Sequence, residues 1–395
     1  MDLSRIQYIV IVYMENRSFD HVLGYLNLPG NHPKWDQING IFEAMKYYTG
    51  FAYPPHPLTR PNIDPDPPHE RDNVAIQINS TPKKMQGFSD SYVRAVPHAQ
   101  PTAVMEYCSP RDVWITDFLA KNFAVCDRWH ACLPASTLPN RLMAMSGYAL
   151  LDRTPSGYLE MARNLFTNDP DDLVYDWLSK RAGWRVYYSG SFFFMQMPRI
   201  LKFYEQDFQS QNLFRPISRL IEDFRIGDVM PVTFIEPLYE DDYRRNNQQA
   251  TDDHSPAALY GGQRFLNMVW KAIKSPGVWE NVFATISYDE HGSIFDHVEP
   301  PTLRTVPPPG ASYAPFETLG VRVPGIVVSP FVQPGSVFHN LFDHTSVLKF
   351  LGEKYGDGGK YSKFVDPRAV ESLSAVLDAA LLDPTTPIRQ PPQKS

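Results

Sequence analysis

The stretch IQYIVIVYMENRSFDHV, residues 6–22, joins an almost uninterrupted apolar run to a group of polar and charged residues. The run is rich in β-branched residues and has the length of a β-strand. Its continuous hydrophobicity is typical of a strand covered on both faces. The polar residues that begin at Glu15 have two explanations: a helix that starts at the surface, or a reactive site at the end of a buried strand.

Five further apolar runs have strand length: FAVCD (123–127), WRVYYSG (184–190), PVTFIEP (231–237), VFATISYDE (282–290) and PGIVVSP (324–330). Helical patterns lie between them: RDVWITDFLAKN (111–122), DDLVYDWLSKRAG (171–183), ISRLIEDFR (217–225), ALYGGQRFLNMVWKAIKS (258–275) and HTSVLKFLGEKYG (344–356). Strands that alternate with helices predict an α/β fold, a three-layer α/β/α sandwich with a largely parallel central sheet.

No repeat or flexible linker divides the chain, so we predict a single domain over residues 1–382. Proline-rich stretches at 53–68 and 300–315 are predicted to be long loops inserted in this domain. Residues 383–395 are predicted to form a C-terminal tail.

The 395-residue chain carries 37 Lys and Arg against 44 Asp and Glu, a net charge of −7. Because no basic stripe is present, we expect no nucleic-acid partner. The three cysteines lack CxxC spacing, which argues against a disulfide framework and a zinc knuckle. No segment has the roughly 18 apolar residues of a membrane span. The N-terminus shows no signal peptide, so we expect a cytoplasmic protein, or a periplasmic or secreted one if the start was trimmed.

Polar side chains follow the first predicted strand and end three of the others. They are Glu15 and Asn16, Glu236, Asp289 and Glu290, and Ser329. In open α/β sheets, ligands bind outside the carboxyl ends of the strands, so we expect these residues to meet at one edge. Asp289 and Glu290 can serve one ion only if the strand has already ended in a turn, which Gly292 permits. Carboxylate oxygens suit a hard divalent cation.

The segment PASTLPNRLMAMSG (134–147) places Ser136 and Thr137 before a helical pattern with a proline in its first turn. A hydroxyl at a helix N-terminus lies among free amides that favour a phosphate. It can equally be a simple helix cap.

Eleven histidines are present. His69, His254 and His344 stand near predicted element ends and are candidates for a site. Structural roles are predicted for His32, His56, His98, His130 and His339. The absence of GxSxG, HExxH, GxGxxG and GxxxxGK[ST] weakens the serine hydrolase, zincin, dinucleotide and nucleoside triphosphate alternatives.

Six motifs occur in a specific order: ENRSFDHVLGYL (15–26), STLPNR (136–141), DDHSP (252–256), YDEHGSIFDHVEPP (288–301), LGVRVPGIVVSPFV (319–332) and FDHTSVLKFL (342–351). Together they resemble the phosphoesterase family of bacterial phosphatidylcholine-type phospholipases C, plant non-specific phospholipases C and a related acid phosphatase. The resemblance spans roughly residues 6–355 and implies an alkaline-phosphatase-like fold.

The resemblance implies that Thr137 is the nucleophile, with Ser136 as the second choice. It further implies one divalent metal ion bound by Glu15, Asn16, Asp289 and Glu290 together with Thr137. On ligand softness, Ca²⁺, Mg²⁺ or Mn²⁺ is favoured over Zn²⁺.

The remaining roles come from the same resemblance. His69 and His254 would hold phosphoryl oxygens or protonate the leaving group, and His297 is a further catalytic candidate. His344, His291 and Asn140 are expected to bind substrate. Ser293 stands where the family usually has a second Gly, and no histidine is found between residues 180 and 230, where some phosphatase relatives carry one.

The expected activity is metal-dependent hydrolysis of a phosphate ester through a phosphothreonine intermediate, of the phospholipase C or phosphodiesterase type. The alternatives are an acid phosphatase of the same family and, from another class, a non-catalytic metal-stabilised binding protein. The expected substrate is a phosphate ester, including a phospholipid or a phosphocholine-type diester. Aromatic residues at 47–53 and 189–195 are candidates for an apolar lip around it.

Overall fold

The computed structural model describes residues 3–42, 45, 53–81, 83–154, 173–190, 198–210, 212–240, 250–378 and 391. Its strands are β1 Tyr8–Met14, β2 His56–Pro57, β3 Glu106–Tyr107, β4 Ala124–Cys126, β5 Trp184–Tyr188, β6 Phe214–Pro216, β7 Val232–Glu236, β8 Val282–Tyr288, β9 Thr302–Thr305, β10 Phe316–Thr318, β11 Gly325–Val328 and β12 Val337–Phe338.

The α-helices are α1 Phe19–Val22, α2 Arg71–Ile78, α3 Phe88–Ala95, α4 Trp114–Asn122, α5 Thr137–Ser146, α6 Val174–Ser179, α7 Pro198–Asp207, α8 Leu220–Ile226, α9 Leu259–Ile273 and α10 Thr345–Tyr355. All six strands expected from the apolar runs are present. The short strands β6 and β12 and the helices α2, α3 and α7 were not predicted. The two strands are only three and two residues long, and α2 lacks an apolar period.

Eight strands form one sheet in the order β12-β4-β11-β8-β1-β7-β5-β6. Every neighbouring pair is parallel except those of β11, which runs antiparallel to both β4 and β8. All seven residues of β8 and six of the seven in β1 are buried, so both faces of these strands are covered. Helices α4, α8 and α9 pack together, and α5 packs with α10. The predicted α/β class with a largely parallel sheet is confirmed.

The strand directions decide which polar ends meet. Since β1, β7 and β8 are parallel neighbours, Glu15, Glu236 and Asp289 follow them at the same edge of the sheet. Ser329 does not belong there, because it ends the antiparallel strand β11. Its hydroxyl donates to the carbonyl of Val282 (2.7 Å), where β8 begins. The expectation that Ser329 would join the site is therefore wrong.

Several expectations fall on other parts of the chain. The tail at 383–395 lies outside the described residues except for residue 391, and so do residues 47–52 and 191–195 of the aromatic segments. The single-domain boundary stays a prediction. No helix in the described part of the chain is long and apolar enough to cross a membrane. Cys108, Cys126 and Cys132 are buried and form no disulfide.

The structural role predicted for two histidines is confirmed. His32 is buried and its Nε2 lies 3.2 Å from the carbonyl of Ala120. His130 is fully buried, and its Nδ1 lies 2.9 Å from the carbonyl of Gly320. Burial lowers the pKa of His130 to about 3, so the folded protein keeps this imidazole neutral.

His130 should make folding depend on pH. Below its ordinary pKa of about 6.5, the unfolded chain takes up a proton that the folded chain does not. This contribution to stability is complete above pH 6.5 and declines toward pH 3. Between pH 7 and 5 the wild type should lose about 2 kcal/mol more unfolding free energy than His130→Gln. Equilibrium urea unfolding of both chains at the two pH values measures the difference; equal losses would contradict a buried neutral His130.

Candidate active site

Two loops meet at the carboxyl edge, one after β1 and one after β8. Glu15, Asn16, Asp289 and Glu290 are each at most 2% exposed. Asp289 Oδ1 accepts hydrogen bonds from the backbone amides of Asn16 (3.1 Å) and Glu290 (2.7 Å). The amide of Arg17 donates to the carbonyl of Glu290 (3.1 Å). The sheet thus brings together the Glu15–Asn16 and Asp289–Glu290 pairs, which the sequence predicted to share a site.

Glycine is required where these loops touch. Gly292 has φ +62°, and a Cβ at this position would lie 2.2 Å from the carbonyl oxygen of Asn16. Asn16 itself has φ +57°, in the left-handed region that asparagine tolerates better than most residues. The close approach of the two backbones therefore sets the position of the Asn16 side chain.

Thr137 is the first residue of α5, and its hydroxyl points at the pair that follows β1. Thr137 Oγ1 lies 3.3 Å from Glu15 Oε2 and 3.4 Å from Asn16 Oδ1. The adjacent Ser136 hydroxyl is turned elsewhere. It donates to Glu70 Oε2 (2.8 Å) and accepts from the amide of Thr154 (3.0 Å). The geometry therefore favours Thr137 over Ser136 as the nucleophile.

The Asn16 amide has two distinct sides. One terminal atom lies 2.7 Å from Glu290 Oε1 and 3.3 Å from Glu15 Oε2, and the other lies 2.9 Å from His254 Nε2. In the absence of a cation, the nitrogen belongs on the carboxylate side, where it donates. With the oxygen on that side, Asn16, Glu15, Glu290 and Thr137 present four converging oxygens. Such a set repels itself unless a cation lies among them, and it is the donor set that hard divalent cations bind.

The buried guanidinium of Arg141 contacts both acidic loops. Arg141 Nη2 donates to Glu15 Oε1 (2.5 Å) and to the carbonyls of Tyr13 and Met14 (both 3.3 Å). Its Nε lies 3.6 Å from Asp289 Oδ2. Arg141 thus holds one oxygen of Glu15 and leaves the other facing Thr137.

Arg141 does not fully compensate the negative charge of the buried carboxylates. Burial raises the pKa of Glu15 well above its ordinary value, Asp289 adds to the rise, and Arg141 opposes it. Burial also raises the pKa of Asp289, again against Arg141. Asp289 Oδ2 is buried and has no hydrogen-bond partner among the described residues. An additional positive charge at this point would fit the residues present.

Two histidines and an aspartate stand on the more open side of Asn16. His254 Nε2 lies 3.3 Å from Asp66 Oδ2, and the rings of His69 and His254 are in edge-to-face contact at 5.7 Å. Burial would lower the pKa of His254, but Asp66 raises it to about 10. Burial would also lower the pKa of His69, but Glu290 and Asp66 raise it. The structure thus places His69 and His254, both predicted as site residues, beside Asn16.

Two other histidines support the site without opening onto it. Trp129 Nε1 donates to His344 Nδ1 (3.2 Å), so His344 Nε2 carries the proton and donates to the carbonyl of Asp289 (2.6 Å). Burial lowers the pKa of His344 to about 4. His291 lies between Glu290 Oε2 (3.3 Å) and Gln77 Oε1 (2.7 Å) and is 1% exposed. His344 and His291 were expected to bind substrate. Their polar contacts instead hold Asp289 and Glu290 in position.

The substrate-binding role expected of Asn140 is also corrected. It is fully buried under the loop before α5, where its amide bonds to backbone groups of Leu133, Ala135 and Ser136 at 2.9–3.1 Å. All its polar atoms are used to shape that loop, so it positions Thr137 instead of binding substrate.

His297 belongs to a different cluster. Its Nδ1 lies 2.6 Å from Asp20 Oδ2 and its Nε2 lies 3.0 Å from Asn39 Oδ1. Arg322 bridges Asp20 and Asp296 in the same group. These contacts join His297 to Asp20 and Asn39, and none in the described part of the chain joins it to Thr137, so its expected catalytic role stays a prediction.

Sequence reasoning missed the residues that orient the site. They are Asp66, Glu70, Gln77, Arg141 and Thr154. Only Arg141 carried a local signal, since it lies four residues after Thr137 and so on the same helix face.

Comparison with known proteins places this chain among phosphoesterases. The model of the Phosphoesterase family matches residues 6–356. Non-specific phospholipase C6 of Arabidopsis thaliana is 32% identical over 358 residues, which cover 85% of this chain and 63% of that protein. Phospholipase C A of Mycobacterium tuberculosis is 29% identical over 399 residues, which cover 90% of this chain and 74% of that protein. The solved structure of an alkaline phosphatase superfamily protein from Vibrio parahaemolyticus aligns with a TM-score of 0.36 at 13% identity, over 60% of this chain and 58% of that chain.

The contact between Gly292 and Asn16 can be tested against a matched glycine. Gly227 also has positive φ (+79°), but a Cβ there meets nothing within 4 Å. Gly227→Ala should cost about 1 kcal/mol of stability and leave activity unchanged. Gly292→Ala should cost more and lower phosphoesterase kcat/KM by about 100-fold, because Asn16 is displaced. Urea unfolding and steady-state kinetics of both variants measure this; equal activities would contradict a positioning contact.

Proposed function

Because this chain belongs to the Phosphoesterase family and is a phosphoric ester hydrolase, we propose that it cleaves phosphate diesters of the phospholipase C type through a phosphothreonine at Thr137. The observation that carries the proposal is the Thr137 hydroxyl at a helix N-terminus, 3.3 Å from Glu15 Oε2 and beside the Asn16 amide. The chain spans only 63% of its plant relative's length, so the substrate of that relative is not transferred to this chain as a finding but is part of the proposal.

A divalent cation is part of the proposed active form. Glu15, Asn16 and Glu290 with the Thr137 hydroxyl would hold it. Asp289 is the remaining proposed ligand, because its Oδ2 accepts no hydrogen bond from the described residues and has only the ion pair with Arg141. Oxygen donors without thiolate or imidazole favour Mg²⁺, Ca²⁺ or Mn²⁺. When bound, such a cation lowers the pKa of the Thr137 hydroxyl and supplies charge that stabilises the phosphoryl oxygens.

In the first half-reaction, Thr137 Oγ1 attacks phosphorus while the bond to the leaving alcohol breaks. Glu15 Oε2 is the nearest acceptor for the hydroxyl proton, at 3.3 Å. The amides at the start of α5 favour the negative phosphoryl group. Arg141 keeps Glu15 in place throughout, since it binds the oxygen that does not face Thr137.

His254 is the proposed acid for the leaving group, and His69 the proposed contact for a phosphoryl oxygen. Both side chains are partly exposed, at 19% and 14%, so they can reach a bound ester from the solvent side. Asp66 orients His254. In the second half-reaction, deprotonated His254 takes a proton from the water that attacks phosphorus, and the bond between phosphorus and Thr137 Oγ1 breaks. Oγ1 recovers its proton from Glu15, which returns the site to its starting state.

The substrate class follows from the names of the relatives, which are phospholipases C. We therefore propose a phosphocholine-type diester, including phospholipids, as the substrate. A phosphate monoester is the alternative, since the same nucleophile and cation serve both.

Thr137→Ala should lower kcat by about 10⁴-fold or more, since among the described residues only the Thr137 hydroxyl lies within hydrogen-bond distance of Glu15 and Asn16. Thr137→Ser should retain measurable activity, and Ser136→Ala should retain most of it. Turnover of p-nitrophenyl phosphorylcholine and p-nitrophenyl phosphate tests both the nucleophile and the substrate class. Wild-type turnover quenched in acid should yield a phosphorylated peptide that contains Thr137. A Thr137→Ala enzyme with near-normal rates would refute the assignment.

Removal of divalent cations with a chelator should abolish activity, and Mg²⁺, Ca²⁺ or Mn²⁺ should restore it. Glu290→Gln should weaken cation binding at least about tenfold, because it removes one carboxylate from the donor set. Glu106→Gln is the matched control: Glu106 is also buried, but it contacts Thr59 and Arg60. Calorimetric cation titration of the three chains gives the affinities. Equal affinities for all three would count against Glu290 as a ligand.

A further inference from the structure

The open side of the site holds a second donor set with a different chemistry. We propose that Asp66, His69 and His254 bind a transition-metal ion of the Zn²⁺ type, and that this ion inhibits the enzyme. One ligand atom from each of the three side chains lies within 4.8 Å of the other two. The binding does not depend on the proposed function, whereas the inhibition rests on it.

The distances suit a tetrahedral ion. Ligands at about 2.0–2.1 Å from Zn²⁺ are separated by about 3.3 Å when the geometry is tetrahedral. His254 Nε2 and Asp66 Oδ2 are 3.3 Å apart already. The three ligand atoms already lie within 4.8 Å of one another, so a movement of about 1.5 Å at most would bring His69 to the tetrahedral separation.

The surroundings of the three side chains orient them as ligands. His69 Nδ1 lies 2.8 Å from the carbonyl of Pro67 and donates to it, so Nε2, which lies 3.3 Å from the Asn16 amide, is the ring nitrogen that faces the cluster. A ring N–H bonded to a backbone carbonyl is the usual support of a metal-binding histidine. Asp66 Oδ1 is buried and has no hydrogen-bond partner among the described residues.

Two imidazoles and one carboxylate select a softer ion than the oxygens around Asn16 do. The side chains of His69, His254 and Asp66 are 14%, 19% and 35% exposed, which leaves a fourth position open to solvent. Three protein ligands and an open position are typical of exchangeable or catalytic zinc.

A second cluster in the described part of the chain offers an internal comparison. Asp20, Asp296 and His297 also lie within 4.8 Å of one another. There the positive charge is supplied by Arg322, whose Nη2 is 3.1 Å from Asp20 Oδ1 and whose Nε is 2.9 Å from Asp296 Oδ1. With its carboxylates already paired and only one imidazole, this cluster should not take the ion.

Binding would occupy Nε2 of both His69 and His254. The proton that His254 shares with Asp66 would leave to solvent. His254 could then not deliver a proton to the departing alcohol, and turnover would stop while the ion stays bound.

Co²⁺ is the probe, added to the full chain saturated with Mg²⁺ so that the oxygen-rich site is filled. One equivalent should bind with the visible absorption of four-coordinate Co²⁺, and Zn²⁺ should displace it. His69→Gln and His254→Gln should each weaken this binding at least tenfold. His297→Gln and Glu15→Gln, which alter the other cluster and the oxygen-rich site, should leave the spectrum unchanged.

The proposed site is refuted if the wild type shows no such spectrum, if both His69→Gln and His254→Gln retain it, or if Glu15→Gln abolishes it. Zn²⁺ added to the Mg²⁺-saturated wild type should reduce turnover in proportion to its occupancy. Binding without inhibition overturns the inhibitory role and the assignment of His254 as the acid. A Thr137→Ala enzyme that stays active refutes the proposed function alone, since it does not affect the Co²⁺ spectrum.

Discussion

The parallel pairing of β1 with β8 is the constraint on which the site depends. The two strands are in register from Tyr8 and Val282 to Met14 and Tyr288, so the residues that follow them emerge side by side. A slip of one residue would turn every side chain to the other face of the sheet. The register observed between β1 and β8 places Asn16 directly against the loop that carries Asp289 and Glu290.

Helix α5 brings both a reactive hydroxyl and a counter-charge to that edge. Thr137 and Arg141 are four residues apart and share one helix face, so the turn that presents the hydroxyl also inserts the guanidinium. Arg141 holds Glu15 on one side and approaches Asp289 on the other. The free oxygen of Glu15 then faces Thr137. Removing the guanidinium would leave buried carboxylates without their partner, which is costly in a low-dielectric interior.

The sequence indicated the strands, the helices between them and the residues at the strand ends, because long apolar runs and their polar ends are local features. It could not reveal strand direction, and Ser329 was misplaced for that reason. It also could not tell which polar groups are already satisfied. His344 and Asn140 lie near the site, but their polar atoms are already hydrogen-bonded. His344 bonds to Trp129 and the Asp289 carbonyl, and Asn140 bonds to the loop before α5. Asp66 was missed because only tertiary contact joins it to His254.

The charges around Asn16 explain why two kinds of cation would behave differently there. Glu15, Asp66, Asp289 and Glu290 carry four formal negative charges, and Arg141 offsets one of them. A divalent ion among the oxygens and a proton on His254 offset the remaining three, which makes the group neutral. Exchange of that proton for a second divalent ion leaves one positive charge in excess. If both ions bind as proposed, cation repulsion across Asn16 would weaken the binding of the second ion relative to the first. The oxygen-rich site would then hold a resident cofactor, and the histidine site an exchangeable ion.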